Sequence, residues 1–73
     1  MTEAEIVELF TYHPPDAERI RAHDLVRDVM RDAVLELAPH LPASRERSTF
    51  ITLMQQASMM ANAALAIHGV PKG

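Results

Sequence analysis

Four histidines, one tyrosine and two pairs of arginines are the side chains in this 73-residue chain with chemistry to offer. His23 is followed by Asp24, a pairing that binds metal in some hydrolases. Adjacent residues on a helix point about 100° apart, so other ligands would have to come from His13, His40 or His68. No two of these histidines stand four residues apart, the spacing that places two imidazoles on one helix face. His23 therefore reads as a helix-surface histidine beside a salt-bridging aspartate. No nucleophile–base pair is evident, and the only glycines are Gly69 and Gly73, so there is no glycine-rich phosphate loop. The expectation is a protein that is not an enzyme, with no catalytic residue, no metal and no cofactor.

The remaining candidates suit binding better than turnover. Tyr12 stands in Thr11-Tyr12-His13-Pro14-Pro15, where the prolines hold the backbone extended. Taken alone, a tyrosine between two helices is more often a packing residue than a ligand platform. Arg27 and Arg31 lie one helical turn apart, among Asp24, Asp28 and Asp32 with which they can pair. Arg45 and Arg47 fall in the first turn of a later helix, where a cation opposes the macrodipole. Charge placed against that preference fits an anionic ligand or a carboxylate of another subunit.

Three helices must position these groups. Thr2-Glu3-Ala4-Glu5 is a capping box, and Ile6, Leu9 and Phe10 follow, predicting a helix over about 3–10. Alone it is too short to be stable, so it should dock on the rest of the chain. Pro15 suits the first turn of the next helix, with Asp16 and Glu18 favourable beside it. That helix is expected over about 15–38. Ala22, Leu25, Val26, Val29, Met30, Ala33 and Leu37 form its apolar side, and Pro39 and Pro42 end it. Ser44 is an N-cap and Glu46 a first-turn anion for a third helix over about 45–68, stopped by Gly69 and Pro71. The reading is all-α: an antiparallel helical hairpin with a short N-terminal helix, in a single domain over residues 1–73.

The third helix carries most of the information about assembly. No Asp, Glu, Lys or Arg occurs from Ser48 to Pro71. Phe50, Leu53, Met54, Ala57, Met60, Ala61, Ala64 and Leu65 make one broad stripe, and Ile51, Met59, Ala63 and Ile67 fall outside it. One partner helix cannot cover both. A membrane span fits poorly, because Ser48, Thr49, Thr52, Gln55, Gln56, Ser58 and Asn62 are spread through the run. A chain this small buries only about 60% of its unfolded surface and is marginal alone. Without cysteine it has no disulfide staple, so the missing cover must come from other copies of the chain or from a partner, and homo-oligomerisation is the expectation. The net charge of −3 argues against nucleic-acid polymers as partners. The acidic start Met1-Thr2-Glu3-Ala4-Glu5 is unlike a secretory signal.

Several pieces together resemble one family. They are Tyr12-His13-Pro14, His23 to Arg27, Pro42-Ala43-Ser44-Arg45-Glu46-Arg47-Ser48, and Ala57-Ser58-Met59-Met60-Ala61-Asn62-Ala63-Ala64-Leu65-Ala66. Over about residues 10–68 the chain is similar to the small phage hairpins that include the anti-CBASS cyclic-nucleotide sponge and the hairpin part of the anti-Thoeris sponge. The resemblance implies a hexamer of hairpins in the cytoplasm of an infected bacterial cell. It implies non-catalytic sequestration of cyclic oligonucleotide immune signals, such as cyclic GMP-AMP, and so a block on CBASS defence. Tyr12 matches a tyrosine that stacks on a base. Arg27 matches a basic residue, commonly lysine in the sponge, that contacts the phosphates. The backbone at Thr11, His13 and Pro14, freed from helix bonding, would read base edges, and Arg31, Arg45 and Arg47 are further candidates for the ligand. Two alternatives stay open: a sponge for a cyclic ADP-ribose derivative, and a helical adaptor oligomer that binds another protein.

Overall fold

The computed structural model describes residues 1–12 and 14–72, and all regular structure among them is helical. Helix α1 spans Glu3–Phe10, α2 spans Ala17–Leu37 with a 3-10 turn at Ala38–His40, and α3 spans Arg45–His68. Each start follows local chemistry. In α1 the Glu5 amide donates to Thr2 Oγ1 at 3.2 Å, and the Thr2 amide donates back to Glu5 Oε1 at 3.4 Å, completing the capping box. At α2 the cap is Asp16, whose Oδ1 accepts from the Arg19 amide at 2.8 Å. At α3 the Ser44 hydroxyl accepts from the Arg47 amide at 3.1 Å.

The bounds of α2 differ from the expected 15–38 at both ends. Pro15 lies outside the helix, because the aspartate after it takes the cap position and satisfies an amide that proline cannot help. Pro39 does not stop the chain from coiling; it sits in the first turn of the 3-10 segment, where its missing N–H is not needed. The stop of α3 is as expected. Gly69 has φ +78°, and its amide donates to Leu65 O at 2.9 Å.

Helices α2 and α3 run antiparallel along one seam. On α2 the half-buried positions include Arg19, Ala22, Val26, Met30 and Ala33; on α3 they include Arg47, Phe50, Met54, Ser58, Ala61 and Leu65. Both sets advance by three or four residues, so each helix gives one face to the other. Two helices enclose no interior, and no described residue is fully buried. The expected α2 stripe is split by this: Leu25 and Val29 stay exposed while Ala22, Val26 and Met30 enter the seam.

Two further expectations change. His23 is not a surface residue; it is half-buried in the seam, and its Nδ1 meets Asn62 Oδ1 at 2.8 Å. Helix α1 leans on the end of α3 through Leu9 beside Ile67 and His68, but its expected apolar face is not covered. Phe10 is 86% exposed, and Ile6 and Val7 are exposed as well. Eight residues reach only the end of α3, so most of the face is left uncovered by the described residues.

Candidate functional site

The sequence candidates fall at three levels along the hairpin. Tyr12 lies at the open end, Arg27 and Arg31 at mid-height, and Arg45 and Arg47 at the turn end. Arg27 is eleven residues past the Asp16 cap, about 16 Å along the axis at 1.5 Å per residue. The bond of Arg47 Nε to Ala38 O at 3.2 Å sets the turn-end level a similar distance beyond Arg27, again about 16 Å. A single chain therefore does not bring Tyr12, Arg27 and Arg47 together.

Tyr12 is 80% exposed and makes no hydrogen bond to a described residue. It follows the last turn of α1, which Thr11 closes: the Thr11 hydroxyl donates to Val7 O at 2.7 Å and its amide to Glu8 O at 3.3 Å. This corrects the expectation that the backbone here is free of helix bonding, since the Thr11 N–H is already used. His13 lies outside the described residues, and Pro14 has no N–H to offer.

Arg27 and Arg31 stand on the exposed ridge of α2, each held by carboxylates of its own helix. Arg27 pairs with Asp24, and Arg31 pairs with Asp28 at 3.5 Å and Asp32 at 3.1 Å. All five side chains are more than half exposed, and such pairs contribute only about 0–1 kcal/mol. A phosphate can displace them at little cost in fold stability. The two arginines border a shallow groove of about 370 Å³ between α2 and α3, whose other rim carries Gln55 and Met59.

Arg45 and Arg47 part company. Arg45 projects into solvent, and Glu46 lies 4.0 Å from it. Arg47 is half-buried, and its bond to Ala38 O satisfies a carbonyl where α2 gives way to the 3-10 turn. Its position in the first turn of α3, unfavourable for a cation by the macrodipole alone, is explained by that bond across the hairpin.

Sequence reading missed two contacts. The first is the His23–Asn62 bond, which joins residues 39 apart; the three-and-four spacing that His23 shares with Val26 and Met30 places it on the seam side but does not say that it meets Asn62. The second is Arg19 against Gly69. A Cβ at Gly69 would lie 2.9 Å from Arg19 Nη2, and the buried Arg19 Nε has no hydrogen-bond partner among the described residues. Nothing in the spacing of a lone arginine marks it as the neighbour of a glycine fifty residues later. Among the described residues no cluster of histidine, aspartate and glutamate is arranged to hold a metal ion. By length and composition α3 meets the requirement for a membrane-crossing helix, with mean hydropathy 1.2.

The geometry is thus an exposed aromatic ring at one end and an apolar-walled groove with ion-paired arginines on its rim at mid-height, on a scaffold with uncovered apolar flanks. A family model, the Acb2/Tad1 hairpin domain, matches residues 2–66. The match takes in α1 as well as the hairpin, reaching back past residue 10 where the recognisable motifs begin. No curated protein and no solved structure matches the chain.

Proposed function

Because the chain belongs to the Acb2/Tad1 hairpin-domain family, a family of sponges, we propose that it binds and sequesters cyclic oligonucleotide immune signals without turning them over. It would act in the cytoplasm of an infected bacterial cell and blunt CBASS defence there. The family match over nearly the whole chain carries this reading.

The physical features are compatible with it. A cyclic dinucleotide is a compact dianion with two aromatic bases and an approximate two-fold axis. A two-fold interface between chains supplies every group twice. Two copies of Tyr12 can stack on the two bases, worth roughly 1–3 kcal/mol per base. Two copies of Arg27 can fork onto the two phosphates with charge-assisted hydrogen bonds. The separation of Tyr12 from Arg27 within one chain means that a composite site needs residues from two chains. The uncovered apolar flanks of α2 and α3 support such association, for which a hexamer is the proposed form.

Calorimetry of the purified protein against cyclic dinucleotides, cyclic trinucleotides and cyclic ADP-ribose derivatives tests the reading. Tight binding of a cyclic dinucleotide is expected, and intact ligand should be recovered after prolonged incubation. Tyr12→Ala and Arg27→Ala should each weaken binding at least tenfold while light scattering reports an unchanged mass. Wild-type affinity in both variants would remove these residues from the site, and failure to bind any of the panel would overturn the function. Preference for a cyclic ADP-ribose derivative would assign the chain to the anti-Thoeris branch instead.

A further inference from the structure

The groove beside Arg27 and Arg31 holds chemistry that the two arginines leave unused. Its wall is apolar, built by side chains such as Ile51, Met54 and Met59, and its volume of about 370 Å³ falls in the range of small-molecule sites, roughly 300–1,000 Å³. Cations stand on the α2 rim, and Gln55 lies across from them on the α3 rim. Gln55 is exposed, and its amide makes no hydrogen bond to a described residue. On the part of α3 that carries no charged residue, from Ser48 onward, this puts an unpaired donor–acceptor group beside an apolar slot with the two arginines opposite.

We propose that the groove takes the adenine base of a cyclic nucleotide, with Gln55 reading the N6/N7 edge while Arg27 and Arg31 hold the adjoining phosphate. This rests on the sponge reading above and names the base that the site selects. Arg27 and Arg31 are held only by exposed carboxylates of their own helix, so a phosphate can draw their guanidinium groups away at small cost, and the flat apolar faces of a base suit the adaptable methionine side chains. The amide chemistry then chooses among bases. Adenine offers an N6–H donor and an N7 acceptor, and a glutamine can meet both at once. Guanine offers O6 and N7, both acceptors, so the glutamine carbonyl would face an oxygen. The open side of the bound base remains available for Tyr12 of a second copy to stack on.

Calorimetry of the full chain with cyclic di-AMP and cyclic di-GMP as probes tests this. Wild type should bind cyclic di-AMP roughly ten- to hundredfold more tightly than cyclic di-GMP, the discrimination of one bidentate pair. Gln55→Leu should weaken cyclic di-AMP binding about tenfold or more and leave cyclic di-GMP within about twofold, narrowing the preference. Gln55→Glu keeps the acceptor for N6 and loses the donor for N7, so it should also bind cyclic di-AMP less tightly. Gln55 is exposed, so both variants should fold, and circular dichroism checks that they do. If Gln55→Leu leaves both affinities unchanged while Tyr12→Ala abolishes binding, the sponge reading stands and this base assignment falls. The assignment also falls if wild type prefers cyclic di-GMP, or if Gln55→Leu changes only the mass of the assembly. Binding of neither probe, nor of any other cyclic nucleotide, by a folded wild type would overturn the assignment together with the reading beneath it.

Discussion

The two apolar flanks of α3 are built from the same residue types and meet opposite fates. Phe50, Met54, Ala61 and Leu65 enter the seam against α2, whereas Leu53, Ala57, Met60 and Ala64 remain exposed, Met60 at 70%. Composition does not mark which flank is covered: each mixes large apolar side chains with alanine. The neighbour decides. Helix α2 presents Ala22, Val26, Met30 and Ala33 to one flank and has no second helix to give the other. The difference shows where the fold of one chain ends and where association has to begin. At about 25 cal/mol per Å² of apolar surface removed from water, covering the second flank is a strong drive toward assembly. A chain in which no described residue is fully buried has little reserve without it.

The most severe way to break the comparison is a charge on each flank. Ala61→Glu puts a carboxylate into the α2–α3 seam and is expected to cost several kcal/mol, enough to unfold the hairpin. Ala64→Glu leaves the seam intact and should act on association, lowering the mass seen by light scattering before helicity is lost. Circular dichroism melts beside scattering separate the two. Equal loss of helicity in both variants would mean that the hairpin has no existence apart from its assembly.

A smaller change sharpens the comparison within the covered flank. The His23–Asn62 bond is the cross-hairpin polar contact of the seam between side chains of α2 and α3. His23→Leu leaves Asn62 with a half-buried polar group unmet and should cost about 1–3 kcal/mol, as should Asn62→Ala. The double variant should cost less than the sum, because the second substitution removes the orphaned partner. Additive losses in chemical denaturation would show that the two residues act separately.

The smallest expected effect lies on the outer ridge of α2, away from both flanks. Asp24→Asn releases Arg27 from its carboxylate without touching the seam. Stability should stay within about 0.5 kcal/mol. Affinity for a cyclic dinucleotide should rise a few fold, since the phosphate no longer competes with an exposed pair worth at most about 1 kcal/mol. A fall in affinity would instead make Asp24 a group that orients Arg27 for the ligand.

Several of these features are legible in the sequence. Helix starts at Thr2 and Ser44 and the stop at Gly69 were readable because capping is local: donor and acceptor are three or four residues apart, and the sequence displays both. The capping of α2 by Asp16 rather than an entry through Pro15 was within reach of the same rule, since aspartate is the better cap. Of the candidate site, the residue types and the spacing of Arg27 and Arg31 were visible, as was their pairing with Asp24, Asp28 and Asp32. That Arg47 would be tied to Ala38, and that Arg45 would be left in solvent, was not visible. The two share the first turn of α3 and differ only in which way the helix turns them.

What the sequence determined by itself was therefore the set of helices, their ends, and the excess of apolar surface on α3. These depend on interactions within about one turn of helix and on composition, both independent of what lies across the chain. Tertiary structure alone decided which half of the α3 stripe is covered, that His23 and Asn62 meet across 39 positions, and that Arg19 rests on the bare backbone of Gly69. It also set Gln55 across a groove from Arg27 and Arg31. Each of these depends on the rotation and register of α2 against α3. Many rotations bury similar apolar area, because the hydrophobic effect is proportional to area and carries no direction. The choice among them falls to directional bonds such as His23–Asn62 and to the fit of side chains along the seam.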